Sequence, residues 1–433
     1  MHTNYRWNTR SIPLGHGRRI TVNLLGDLIY VEFFASRTII NSSKIARDLL
    51  DKRGAIYSSR PRLVTFVELV GWDPTLVFAP YQHESRRRQR RWVQAAFGEK
   101  DTLRKYEGLQ HREVCILLSS LINTPKNFTM HITRYTVALI VESVYGHRIT
   151  SLEDEYVTLV DRSNQATSAT GPAGGGMVDH FPLLKHIPTW MPSAEFKRKV
   201  LYARELVRDA HYRPFDMVRK AVASGDAEPS FVSTLIENAE KEGRLDEVEN
   251  DIRYAAGALY AAGSDPTKTV LQTFFLAMVL HPAVYKKAQE ELDRVVGNTR
   301  LPTLEDRPNL PYIDCVIKET YRAMTRNVEQ YSDAEAFRPE RFLSPEIEDP
   351  RNIVFGYGPR LCPGRLFADT TLFLAIASVA ATLNIEKARH RRAASSPRKL
   401  RSYLRLSAYD CAITPRSSAA MNLVADALVS VTE

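Results

Sequence analysis

Residues 355–364 read Phe-Gly-Tyr-Gly-Pro-Arg-Leu-Cys-Pro-Gly and open directly into an apolar run from Arg365 to Leu383. The pattern places Cys362 at the start of a predicted helix, where unpaired N–H groups and the helix dipole favour negative charge. Such a position lowers a thiol pKa and makes the thiolate available as a ligand. Pro363 suits the first helical position, where its missing N–H costs nothing. Gly356, Gly358 and Gly364 permit tight turns and close approach of the backbone to a flat ligand. Arg360 can offer charge-assisted hydrogen bonds to a carboxylate. An isolated cysteine in a turn is usually a small buried hydrophobe. Here Phe355, Gly358, Arg360, Cys362 and Gly364 stand at fixed offsets before a helix, and that combination is specific.

The other three cysteines, Cys115, Cys315 and Cys411, are scattered without CxxC or CxxH spacing, which argues against a disulfide framework or a zinc site. The 433 residues can bury a core large enough to enclose a cofactor. A net charge of +9 permits an acidic partner without choosing among membrane, nucleic acid and protein. No uninterrupted apolar stretch reaches the ~18 residues of a membrane span, and Met1 to Arg19 lacks the apolar region of a signal peptide.

Short strands are expected at Ile20–Val22 and Leu28–Val31, around Gly26-Asp27. A helix follows Ser42 or Ser43, and helical periodicity dominates from Gln89 to Lys287. It is interrupted between Ser163 and Pro192 by Gly171-Pro172-Ala173-Gly174-Gly175-Gly176 and a Pro-rich phrase. This interruption lacks the Gly-Lys-Ser/Thr of a phosphate cradle and reads as a flexible lid or membrane-dipping loop. Long helices are expected from Glu247 to Leu280 and from Pro311 to Met324. The basic run Arg86-Arg87-Arg88-Gln89-Arg90-Arg91 reads as a solvated helix face before a nucleic-acid patch. The fold class is mainly α with a minor β-sheet region.

The segment Phe355 to Gly364 resembles the haem-binding signature of the cytochrome P450 family, Phe-x-x-Gly-x-Arg-x-Cys-x-Gly. Glu319-x-x-Arg322 followed by Pro339-Glu340-Arg341-Phe342 resembles the family's structural triad. Ala262-Gly263-Ser264-Asp265-Pro266-Thr267 resembles the segment that crosses the distal face of the haem. Phe181 to Pro192, with Phe196-Lys197, is similar to the lid loop of fungal members. The resemblance runs from about Gly26 to Phe367 and implies a P450-like fold, a single domain over 1–433, and haem b held by an axial thiolate from Cys362. In the family this thiolate pushes electron density toward the iron to favour O–O cleavage. It further implies Phe355, Gly356, Arg360, Gly364, Arg90, Ala262 and Gly263 as cofactor-binding residues, and Asp265 with Thr267 as catalytic proton carriers. The implied reaction is monooxygenation of a small hydrophobic substrate of the secondary-metabolite or xenobiotic type. Electrons would come from NADPH through NADPH-cytochrome P450 reductase. The implied location is the cytosolic face of the endoplasmic reticulum, with peripheral membrane contact and no nucleic acid. The absent N-terminal anchor keeps a cytoplasmic location open.

Four departures qualify this. The family's threonine position holds Pro266, whose missing N–H predicts a kink and puts the acid–alcohol pair in doubt. The tryptophan position four residues before Arg90 holds Arg86. After Arg322 about 40 residues of the pattern are missing, enough for several short strands of the sheet region. The tail over 389–408 diverges from the family's last hairpin. A haem protein with isomerase or dehydratase activity, or an inactive haemless remnant, therefore stays beside the monooxygenase reading.

Overall fold

The computed structural model describes residues 9–14, 18–25, 28–33, 35–40, 42–325, 331, 333–388 and 409–432. The chain begins with four antiparallel strands in sequence order: β1 (Thr9–Leu14), β2 (Arg18–Leu25), β3 (Leu28–Phe33) and β4 (Ala35–Ile40). Leu25 lies opposite Leu28 and Leu28 opposite Ile40. The expected strand Ile20–Val22 lies within β2, and Leu28–Val31 is the first part of β3.

Helices build the rest. In α1 (Glu84–Phe97) the buried positions are Arg86, Gln89, Val93 and Phe97, spaced three and four apart. That period splits the basic run, turning Arg86 inward and Arg87 and Arg91 outward. After α2 (Glu107–Asn123) comes α3 (Phe128–Tyr145), buried nearly all round, as a helix at the centre of a core must be. The helix α4 (Glu155–Ala169) carries helical structure past Ser163, so the Gly/Pro break opens at Thr170. Then follow α5 (Glu195–Ser224), α6 (Phe231–Lys241), α7 (Leu245–Leu280), α8 (Pro282–Val295) and α9 (Pro311–Thr325). The central pair is α3 against α7. Gly263 makes that approach possible, because a Cβ there would stand 2.6 Å from Ile140 Cδ1. The helix α7 is continuous through Pro266.

The Cys362 loop leads into α10 (Arg365–Thr382). Leu383 is not its last residue: it starts β5 (Leu383–Lys387), which pairs with β6 (Cys411–Pro415) in a small antiparallel sheet. Leu383 and Ile385 are buried on one face, the alternation of a strand. A final helix, α11 (Ser418–Thr432), packs on α2 and α10 and has no counterpart in the sequence expectations. The architecture is mainly α with minor sheet, as the resemblance implies. The divergent tail over 389–408 lies outside the described residues.

By length and composition the 18 residues of α10 suffice to cross a membrane, although Arg365 and Asp369 interrupt them. This helix is two-thirds buried against its neighbours, so its apolarity serves the core.

Candidate functional site

A cavity of ≈ 320 Å³ lies between α7 and the Cys362 loop. One wall is Ala262, Gly263, Pro266 and Thr267; the facing wall is Phe355, Cys362, Pro363 and Gly364. Val93 and Phe97 of α1, Thr136 and Ile140 of α3, and Thr371 of α10 close the sides. The lining is almost wholly apolar, which suits a flat apolar ligand.

The loop that presents Cys362 is closed by its own amide, which donates to the Phe355 carbonyl at 2.8 Å. The Phe355 ring packs edge-on against Tyr321 at 5.7 Å. Gly358 has φ +52°, and a Cβ there would meet the Leu50 carbonyl oxygen at 1.9 Å, so no other residue fits. Gly364 has an ordinary helical φ of −89° and open space where a Cβ would stand, so cavity access and not backbone strain accounts for it. The expected lowering of the Cys362 thiol is corrected. Burial pushes it up, against the opposing pull of the Gly364 amide, Arg90 and Arg365.

Arginines gather at the edge of this cavity. Arg360 donates to the carbonyls of Ser58 at 2.9 Å, Leu76 at 2.8 Å and Ala79 at 2.7 Å. Arg90 donates to the Leu361 carbonyl at 2.5 Å. Arg86 donates to those of Tyr81 at 2.9 Å and Pro359 at 3.1 Å. Arg60 donates to Val77 at 3.1 Å. Among the described residues none of the four has a carboxylate partner. Burial, together with the like charges of Arg86, Arg60 and Arg90, pulls the Arg360 guanidinium down to about 10. A cluster of cations without a counter-charge is costly unless an anion joins it. The sequence identified Arg90 and Arg360; Arg60 was missed, and Arg86, taken as a departure, joins the same group.

The distal residues are divided. Thr267 lines the cavity, with its hydroxyl bonded back to the Gly263 carbonyl at 3.1 Å. Asp265 is not among the lining residues. Its Oδ1 lies 2.5 Å from Lys268 Nζ, which also reaches Asp161 of α4 at 3.2 Å. The acid and the alcohol expected to work together therefore face different surroundings.

Behind the loop, Glu319 is fully buried between two arginines. Arg322 Nε donates to Glu319 Oε2 at 2.9 Å and Arg341 Nε lies 3.1 Å from the same oxygen. Glu319 Oε1 accepts the Arg338 amide at 2.7 Å, and Arg322 also donates to the Ala334 carbonyl at 2.7 Å. The triad that the resemblance implies is assembled.

The cytochrome P450 family model matches residues 29–325 and 321–402. The chain belongs to the cytochrome P450 family. Among curated fungal P450s it is 39% identical to cytochrome P450 monooxygenase 136 of Postia placenta, over 88% of this chain and 80% of the relative. It is 35% identical to monooxygenase 176 of the same fungus, over 96% and 89%. It is 34% identical to monooxygenase claR of Ampulloclitocybe clavipes, over 89% and 79%. For a P450, the residues present fit a haem. A soft sulfur donor faces an apolar cavity, Gly364 leaves a cradle that a Cβ would narrow, and a cation cluster without acids stands where carboxylates would be welcome.

Proposed function

We propose that the chain is a haem-thiolate monooxygenase that places one oxygen atom of dioxygen into a small hydrophobic molecule, with electrons from NADPH through a reductase. The observation that carries this is Cys362 facing Ala262 and Gly263 across an apolar cavity, with a group of arginines beside it that have no carboxylate partner among the described residues. Haem, when bound, supplies the redox chemistry that cleaves dioxygen. Cys362 would ligate the iron; a lone thiolate suffices when the macrocycle brings the other ligands. Arg90, Arg360 and Arg86 would turn from backbone carbonyls to the two propionates. Ala262 and Gly263 keep the distal wall low, while the apolar lining excludes water from the reacting centre. Thr267 can hold a proton on its hydroxyl once it leaves the Gly263 carbonyl. Asp265 can pass protons from solvent once Lys268 releases it.

Exposed Leu183 (83%) and Trp190 (78%) on the loop before α5 support peripheral contact with a membrane surface, and with it the endoplasmic reticulum location. The two family-model matches overlap at residues 321–325, which supports one P450 domain shortened just after Arg322.

The deciding test is the reduced, carbon-monoxide difference spectrum of the purified chain. A thiolate-type Soret band is expected. A protein that retains no haem, or gives only a thiol- or histidine-ligated band, refutes the proposal and favours a haemless remnant. A second reading, a haem isomerase or dehydratase, is favoured by Asp265 being tied to Lys268 outside the cavity lining. Turnover independent of NADPH would establish it.

A further inference from the structure

The Cys362 loop has a neck. Arg351 stands at its entry, in the short helix Arg351–Val354 that delivers Phe355. Asp369 stands at its exit, on the second turn of α10. The two are 18 residues apart in sequence and meet side by side, Arg351 Nη1 donating to Asp369 Oδ2 at 3.2 Å and Oδ1 at 3.3 Å. The whole motif from Phe355 to Gly364 lies between them.

The other guanidinium nitrogens of Arg351 hold two more segments. Nη2 donates to Asp314 Oδ2 of α9 at 2.7 Å, and Nε to both oxygens of Asp349, just before the entry, at 3.1 Å. A planar fork suits this, because it presents fixed donors to carboxylates in three directions. Arg307 joins from the other side, with its Nη2 2.9 Å from Asp314 Oδ1 and 2.7 Å from Asp369 Oδ2. Lys318 Nζ lies 3.0 Å from Asp314 Oδ2. Among the described residues three carboxylates thus meet three cations. Burial would raise the Asp314 carboxyl, but Arg351 and Arg307 hold it well below the usual carboxylate range, so it stays ionised. Isolated surface ion pairs contribute little, but this is a shielded network, with the Arg351 side chain 20% and that of Asp369 14% exposed.

Its place matters more than its strength. Closing a loop at its neck restricts everything inside it. The common footing is α9, which carries Asp314 and Lys318 and also Tyr321, whose ring meets Phe355 edge-on. The Phe355 carbonyl in turn accepts from the Cys362 amide. A shift at the neck therefore reaches Cys362 through Phe355 from one side and through the first turns of α10 from the other. A ligand atom has to be held within about 0.5 Å of its working position.

We propose that Arg351 and Asp369 are positioning residues for the Cys362 thiolate, a clasp that fixes both ends of its loop on α9. The consequence at iron rests on the haem-thiolate reading, whereas the clasp itself is read on the loop backbone without haem.

The test uses Arg351→Lys, Arg351→Gln and Asp369→Asn in the full chain. Arg351→Lys keeps the charge and loses the fork, and the other two change the local charge in opposite directions. Hydrogen exchange over residues 352–368 of the chain without haem reads the neck. Each variant is expected to exchange there about fivefold faster or more. In the haem-loaded chain, the thiolate-type band of the carbon-monoxide complex is expected to convert to the thiol type about fivefold faster or more in all three. Arg134→Lys, which loosens a buried pair with Glu113 between α2 and α3, should leave both readings within about twofold of the parent. Changes of opposite sign for Arg351→Gln and Asp369→Asn would mean that the network acts through its charge, and would overturn the clasp. So would rates like the parent's in Arg351→Lys, or equal acceleration by Arg134→Lys, which would reduce the effect to lost stability. A parent chain with no thiolate band refutes the haem reading, and the exchange rates still decide the clasp.

Discussion

Glu319 Oε2 lies 2.9 Å from Arg322 Nε, in a pair with 0% and 2% of their side chains exposed. The pair sits near the C-terminal end of α9, and Arg322 also donates to the Ala334 carbonyl. Removing one member of such a group leaves a buried charge unmet. Glu319→Ala is therefore expected to lower the unfolding free energy by about 3–5 kcal/mol. Denaturant titration of the haem-loaded chain measures this. A midpoint close to the parent's would mean that the triad does not hold α9 to the segment around Arg338 and Arg341.

Arg360 donates from each of its three guanidinium nitrogens to a carbonyl while carrying a charge that its neighbours repel. Two propionates would relieve that repulsion. Arg360→Gln should weaken haem retention by about 10- to 100-fold, the value of a charge-assisted hydrogen bond. Haem transfer to excess apomyoglobin gives the rate directly. Transfer as slow as from the parent would assign Arg360 to loop packing alone.

Much of this site was legible because it is short-range. Phe355 to Gly364 and Glu319 to Arg322 are fixed spacings whose geometry follows from one turn and one helix. The placement of Asp265 away from the cavity lining follows from the same periodicity. With 3.6 residues per turn, Ala262, Gly263, Pro266 and Thr267 share one face, and Asp265 falls on the flank beside Lys268. The arginine cluster was half legible. Arg90 and Arg360 came with the family resemblance, whereas Arg60 and Arg86 come beside Arg360 from segments hundreds of residues away, as the Arg86–Pro359 hydrogen bond shows.

Lys268 bridges Asp265 and Asp161, tying the distal acid to α4. Lys268→Met should release Asp265 toward the proton path. The ratio of product formed to NADPH consumed is then expected to rise about threefold or more, a small share of the roughly 10²–10⁴ that a positioned proton carrier supplies. Hydrogen peroxide release should fall in step. An unchanged ratio with unchanged peroxide would place Asp265 outside the reaction and strengthen the reading without oxygen activation.

His211 also makes a prediction in pH. Its imidazole titrates near 6.5 when exposed and near 4 in the fold, because burial penalises the cation. The unfolded chain thus binds more protons between those values. Stability from this group is complete above about 6.5 and is lost as pH falls through about 4, by about 3 kcal/mol in all. His211→Phe has nothing to protonate. The difference in unfolding free energy between parent and His211→Phe should therefore shift by that amount between pH 7 and pH 4, all other groups cancelling. A difference independent of pH would mean that burial in the fold does not penalise the His211 cation.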